Sequence, residues 1–215
     1  MTAHLITITD PRSAVAEAYR RLRTNLEFTS LDTPLRTLLV TSAGPDEGKS
    51  TTLANLAVSM AQAGRRVILV DSDLRHPHLH DIFGLDNQKG LTTALSQLGG
   101  DLPLQESGVN GLRVLTAGPL PDLPADLIAS PAMETLIAAL SEQADIVLFN
   151  APPVVTVTDA AVLASKVDGV LLLVNAGRTR REYAQRAKAM LERVHARLLG
   201  AVLTNAPHDA ALAQV

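Results

Sequence analysis

The run Thr41-Ser42-Ala43-Gly44-Pro45-Asp46-Glu47-Gly48-Lys49-Ser50-Thr51 constrains this chain more than any other stretch. Leu38-Leu39-Val40 leads into it as a short apolar strand. Leu53, Leu56, Ala57, Met60 and Ala61 follow at helical spacing. Strand, tight loop, Gly-Lys-Ser-Thr and helix is the context that a phosphate-binding loop requires. The backbone N–H groups of residues 43–51 and the positive helix N-terminus would surround a polyphosphate. Lys49 would reach the β- and γ-phosphates, and the Ser50 hydroxyl would ligate Mg²⁺. Ala43 stands where such loops usually open with Gly, and it is small enough to be accepted. The expected ligand is a nucleoside triphosphate; a turn that merely caps a helix is the alternative.

Further apolar runs alternate with helical patterns. Val67-Ile68-Leu69-Val70 follows Gly64 and ends in Asp71-Ser72-Asp73-Leu74-Arg75. Ligand chemistry gathers at the carboxyl ends of strands in open α/β sheets, and two carboxylates one residue apart suit a Mg²⁺–phosphate site. A solvated turn is the other reading. Leu112–Leu115, Ile146–Phe149, Gly169–Asn175 and Leu199–Thr204 read as more strands. Helices are expected around Met133, Leu136, Ile137 and Leu140, over Ala160–Ala164, and along Ala184, Ala187, Leu191 and Val194. The pattern predicts a single α/β domain over residues 1–215, a mostly parallel sheet with helices on both faces.

At the N-terminus, Asp10-Pro11 reads as a helix start, with Val15, Ala18, Leu22 and Leu26 as its apolar face. Glu17, Arg20, Arg21 and Arg23 form a charged face, either solvated or a subunit contact. Ser130-Pro131 reads as a helix cap. Residues from about Gly84 to Ser130 read as loop-rich apart from the Leu112–Leu115 strand. His76, His78 and His80 alternate, but Pro77 breaks the backbone and no further ligand is evident, so a zinc site is not expected.

Composition narrows the partners. A formal charge of −3, with two Tyr, three Phe and no Trp, gives little for a polyanion to pair with or for bases to stack on, so nucleic acid is not expected. The lack of cysteine removes disulfides and thiolate chemistry and fits a reducing cytoplasm. No apolar run approaches the ~18 residues of a membrane span. Membrane association is expected only through a partner.

These residues carry a family resemblance. Val67–Arg75 resembles the second acidic motif of the bacterial tyrosine kinases, P-loop proteins of capsule and exopolysaccharide assembly unrelated in fold to eukaryotic kinases. Glu17, Arg20 and Arg23 match their N-terminal Glu-x-x-Arg-x-x-Arg motif, which mediates ring assembly. Pro45–Thr51, Phe83-Gly84-Leu85, Gly90-Leu91, Pro152–Val154, Thr158–Ala160, Asp168–Val174 and Arg178–Glu182 match in order and spacing. The resemblance runs from about Glu17 to Pro207. It implies a P-loop NTPase of the deviant-Walker (MinD/ParA-like) group, ATP/ADP and Mg²⁺ as cofactors, and regulation of polysaccharide synthesis and export. Lys49 and the loop amides would hold the phosphates, Ser50 and Asp73 would serve Mg²⁺, and Asp71 would accept the tyrosine proton, although the division between Asp71 and Asp73 stays open. It further implies a homo-oligomeric ring built through the helix within residues 1–30, and activation by a transmembrane polysaccharide co-polymerase, fused or separate, at the inner face of the membrane. Thr204 and Asn205 are candidates for the adenine edge by position alone.

Two departures stand out. The third acidic motif ordinarily ends in Asp, and here that position is Asn150, which keeps the shape but loses a negative charge beside the magnesium site. Weaker metal positioning and slower transfer are expected. Beyond Pro207 the sequence has no tyrosine, so self-phosphorylation of a tail is not expected of it. Tyr19 and Tyr183 fall in helices, where packing or surface roles are expected. Three readings therefore stay open: a protein-tyrosine kinase, a catalytically impaired nucleotide-dependent scaffold, and a partition- or division-type ATPase. The last usually has an extra lysine early in the loop, where this chain has Thr41–Gly44.

Overall fold

The computed structural model describes residues 5–29, 33–97 and 99–206; the tail without tyrosine lies outside the described residues. The strands are β1 (Thr37–Ser42), β2 (Val67–Asp71), β3 (Gln105–Glu106), β4 (Leu112–Leu115), β5 (Ile146–Asn150), β6 (Gly169–Asn175) and β7 (Leu198–Thr204). Among the described residues they form one seven-stranded sheet in the order β3-β4-β2-β5-β1-β6-β7. Only the pairing of β3 with β4 is antiparallel. The helices are α1 (Ile6–Thr9), α2 (Ala14–Thr29), α3 (Lys49–Gln62), α4 (Leu79–Phe83) and α5 (Leu91–Ser96). They continue with α6 (Pro124–Ala129), α7 (Pro131–Gln143), α8 (Asp159–Ala164) and α9 (Arg181–Arg193).

Period-two alternation along the central strands sorts their side chains onto two faces. Leu38, Val40, Leu69, Leu148, Leu171 and Leu173 pack under α2, α3 and α4. Leu39, Ile68, Val70, Val147, Phe149, Val170 and Leu172 pack under α5 to α9. Burial on both faces explains why these strands read as unbroken apolar runs. The register sets Asp71 beside Asn150 and Asn150 beside Val40, so the carboxyl ends of β2, β5 and β1 lie side by side. The chain steps outward from β1 to β2 and β4, then returns through β5 to β6 and β7. That reversal is the crevice where open α/β sheets place ligands.

The N-terminal helix differs from expectation. Asp10 closes α1 by donating its N–H to the Ile6 carbonyl, and Pro11 lies in the turn beyond. α2 starts later because Ser13 caps it, its hydroxyl accepting the Ala16 N–H at 3.2 Å. The inner face is Ala16, Tyr19, Leu22 and Leu26, whereas Val15 and Ala18 face outward. Leu22 and Leu26 belong to either stripe, and the positions that decide between them hold amphipathic side chains. Tyr19 is partly buried and packs against this core. Arg23 lays its stem against α3 and donates to the Ser59 carbonyl at 3.0 Å.

The loop-rich segment is also more structured than its composition suggests, since it contains α5, α6 and β3. Gly90 begins α5 where a Cβ would lie 2.2 Å from the Thr116 carbonyl oxygen, so the helix abuts the chain leaving β4. At α7 the helix starts on Pro131 as expected, but the Ser130 hydroxyl caps nothing; it donates to the Leu127 carbonyl at 2.7 Å.

Candidate functional site

The loop after β1 is anchored before it turns. The Thr41 hydroxyl donates to the Pro152 carbonyl at 2.7 Å, and the Ser42 hydroxyl to the Gly44 carbonyl at 2.6 Å. Ala43 is buried and keeps a negative φ, which is why Ala serves where Gly is usual. Pro45 and Asp46 form the exposed tip, with Asp46 at φ 54°. Gly48, at φ 75°, turns the chain into α3 as its N-cap residue, a conformation that favours glycine. Ser50 and Thr51 occupy the first turn of α3. The first N–H groups of that helix have no partner within it, and they present a positive end to the crevice.

Lys49 folds back toward β2, its Nζ 3.6 Å from Asp73 Oδ2, with both side chains largely buried. Asp73 also accepts the His76 N–H at 3.1 Å. Asp71 is fully buried, and its Oδ2 accepts the N–H groups of His78 and Leu79, each at 2.9 Å. Burial pushes the Asp71 carboxyl above the usual carboxylate range. The Leu79 N–H, the Asn150 amide and the His78 N–H oppose that rise, while the negative Asp73 adds to it. The histidine-rich stretch thus serves this site through main-chain amides. Its side chains stay apart from the carboxylates, with His78 and His80 turned to Asp81.

Asn150 joins the two halves. Its Nδ2 donates to Asp71 Oδ1 at 2.9 Å and to the Ser50 hydroxyl at 3.2 Å. Its Oδ1 is buried and has no hydrogen-bond partner among the described residues. Ser50 and Asp71, both bonded to the amide nitrogen of Asn150, and Asp73, whose charge acts on Asp71, offer a hydroxyl and carboxylate oxygens, hard donors of the kind Mg²⁺ takes. The donor-rich loop and Lys49 fit a polyphosphate beside it.

Three residues near the site lie in segments that match the family motifs, but their contacts cannot be read from the motif. Asp159, at the start of α8, takes Arg75 in a two-pronged ion pair with contacts of 2.9 and 3.2 Å. The pairing holds the chain after the acidic motif against the loop after β5. Glu47, one of the loop residues whose main-chain amides are nucleotide candidates, has a buried side chain, its carboxylate accepting the Ala43 N–H at 3.1 Å and the Thr179 hydroxyl. Thr179 lies 132 residues away in sequence, so no local pattern could reveal it. Its place after an apolar strand, within the matching Arg178–Glu182 segment, marks the region but not the partner.

Thr204 lies at the end of β7 and donates its hydroxyl to the Glu47 carbonyl at 3.0 Å, so it braces the phosphate loop. Asn205, exposed at φ 53°, follows it. Glu17 and Arg20 pair at 2.6 Å on the outer side of α2, and Arg20 also donates to the Pro11 carbonyl. Arg23 is turned toward α3. Tyr183 is half-exposed on α9. None of the α2 residues or Tyr183 is part of the crevice cluster.

A family model described as ParA, NUBPL iron-transfer P-loop NTPase, matches residues 35–208. The chain is 42% identical over 204 residues to tyrosine-protein kinase YwqD of Bacillus subtilis (strain 168), covering 94% of this chain and 86% of that protein. Among solved structures, the chimerical protein CapA2B2 superposes with a TM-score of 0.91 at 36% identity, over 95% of this chain and 90% of that one. The kinase domain of the Escherichia coli tyrosine kinase ETK superposes with a TM-score of 0.89 at 29% identity, over 97% and 84%.

Proposed function

The chain belongs to the bacterial tyrosine-protein kinases within the ParA-like P-loop proteins, and from that premise we propose that it is an ATP-dependent protein-tyrosine kinase domain regulating capsular or exopolysaccharide synthesis and export. The observation that carries the proposal is the meeting of Lys49, Ser50, Asp71, Asp73 and Asn150 at the carboxyl ends of β1, β2 and β5. The loop amides and Lys49 bind the triphosphate. Asp73, 3.6 Å from Lys49 Nζ, keeps that ammonium aimed into the crevice. Mg²⁺, held by Ser50, Asp73 and Asp71, would neutralise charge on the phosphates. Asp71, its proton affinity raised by burial, takes the proton of the acceptor tyrosine hydroxyl. The tyrosine oxygen forms a bond to the γ-phosphorus as the bridging bond to the β-phosphate breaks, and ADP leaves.

The helix carrying Glu17, Arg20 and Arg23 assembles copies into a ring, and a transmembrane polysaccharide co-polymerase, fused or separate, brings the domain to the inner face of the membrane as its activator. Among the described residues no helix is long and apolar enough to cross a membrane. One observation favours a second reading, a nucleotide-holding scaffold with little turnover: Asn150 lacks the charge of the resembling motif and ties up both Asp71 and Ser50. The test follows labelled ATP with Mg²⁺, comparing this chain with Asn150→Asp, each given a tyrosine-bearing acceptor and the cytoplasmic segment of a matching co-polymerase. Label on tyrosine from this chain supports the kinase. Label from the Asp variant alone supports the scaffold for this form. Silence from both, with ATP bound, overturns the kinase reading.

A further inference from the structure

We propose that Glu47 is a positioning residue, which fixes the phosphate loop to the loops after β6 and β7 instead of touching the nucleotide. The inference rests on the nucleotide site described above and deepens it. Glu47 occupies the middle of a loop whose other tip residues are exposed, yet its side chain is buried. Each of its acceptor groups has a partner from a different strand end. Oε2 takes the Ala43 N–H at the carboxyl end of β1. Oε1 takes the Thr179 hydroxyl from the segment after β6. The main-chain carbonyl takes the Thr204 hydroxyl at the end of β7.

Thr179 is itself set for this role. Its hydroxyl oxygen accepts the Asn175 N–H at 3.1 Å, and its own N–H donates to the Asn175 carbonyl at 3.0 Å. With the hydroxyl oxygen engaged as acceptor, its single proton is directed at the Glu47 carboxylate. Such a charge-assisted bond is stronger than a neutral one. Gly44 belongs to the same arrangement, because a Cβ there would come within 3.2 Å of Glu47 Oε1. The loop amides that bind phosphate are therefore held in place from inside by a buried carboxylate. Preorganised donors bind better because ordering them costs nothing at the moment of binding.

The experiment measures the affinity of the full chain for fluorescent mant-ADP with Mg²⁺. Thr179→Val keeps the shape and removes the hydroxyl. It should weaken binding about tenfold, the usual size for losing one hydrogen bond to a charged group. Thr179→Ser should restore affinity to within about twofold. Glu47→Gln turns an amide donor toward a donor and should also weaken binding. The double variant Thr179→Val/Glu47→Gln should be no weaker than the worse single one, because both changes break the same contact. If Thr179→Val fails to fold, Thr204→Val tests the same strut from the other side, with weaker binding again expected. In turnover, KM for ATP should rise more than kcat falls. Binding unchanged in Thr179→Val, or effects that multiply in the double variant, would overturn the strut while leaving the nucleotide site standing. Absence of mant-ADP binding by the unaltered chain would overturn both.

Discussion

Replacing Asn150 by Asp tests how the acidic cluster is balanced. The Asn150 amide now donates to a fully buried Asp71 carboxylate at 2.9 Å. A second carboxylate in that place removes a hydrogen bond to a charged group, worth about 1.5–3 kcal/mol. It also sets like charges against each other. At 2.9 Å and an effective dielectric constant of about 20, two full charges would repel by about 6 kcal/mol. While both carboxyls are ionised this repulsion adds to the lost hydrogen bond, and proton uptake by one relieves it only as pH falls. The lost hydrogen bond sets the lower limit of the damage. For a chain of this size about 2–4 °C accompanies each kcal/mol, so in EDTA the melting temperature of Asn150→Asp should fall by about 3–12 °C. Mg²⁺ between the carboxylates reverses the repulsion, so saturating Mg²⁺ and ADP should raise the melting temperature of the variant more than that of the unaltered chain. Thermal unfolding in EDTA and in Mg²⁺–ADP measures both. Equal melting temperatures in EDTA, or equal gains with Mg²⁺, would refute the reasoning.

Other changes probe the remaining contacts. Asp71→Asn should cut turnover by at least about 100-fold, as loss of a general base does. Because burial raises the Asp71 pKa, the stability this carboxyl contributes is full below its ordinary pKa and lost as pH rises through the raised value. The Asn variant should therefore melt at or above the unaltered chain near neutral pH, and kcat/KM of the unaltered chain should climb with pH through a range above that of ordinary aspartates. Arg75→Ala strands the buried Asp159 carboxylate and should cost about 2 kcal/mol in urea unfolding, a buried-pair value discounted for the exposure of the Arg75 end. Asp159→Ala, which leaves Arg75 free to reach water, should cost less. Replacing Arg20 and Arg23 together by Ala should shift a large assembly to smaller species in light scattering, and an unchanged mass would show that this face is only solvated.

Much of the architecture was legible because parallel strands covered on both faces must be apolar throughout. β4 and β6 begin and end where their apolar runs do, at Leu112–Leu115 and Gly169–Asn175. Helix boundaries were less legible where two polar signals compete, as Asp10 and Ser13 do at α2. There a hydroxyl three residues downstream of the Asp makes the cap. α5 and α6 were missed because six-residue helices are held by what they pack against, Thr116 and its neighbours in the case of α5. Within the site, the motif spacing led to Lys49, Ser50, Asp71 and Asp73. It could not show that main-chain amides of a histidine-rich stretch hold Asp71, or that Glu47 turns inward to meet Thr179. Those contacts join loops that are distant in sequence and adjacent only through the sheet's topology.

The most direct test of the central claim is the fate of the γ-phosphate. With ATP labelled at that position, Mg²⁺, a tyrosine-bearing acceptor and the co-polymerase segment, the account predicts label on tyrosine that disappears in Lys49→Met and Asp71→Asn. Label recovered only as free phosphate would contradict it and place the chain with the partition-type ATPases.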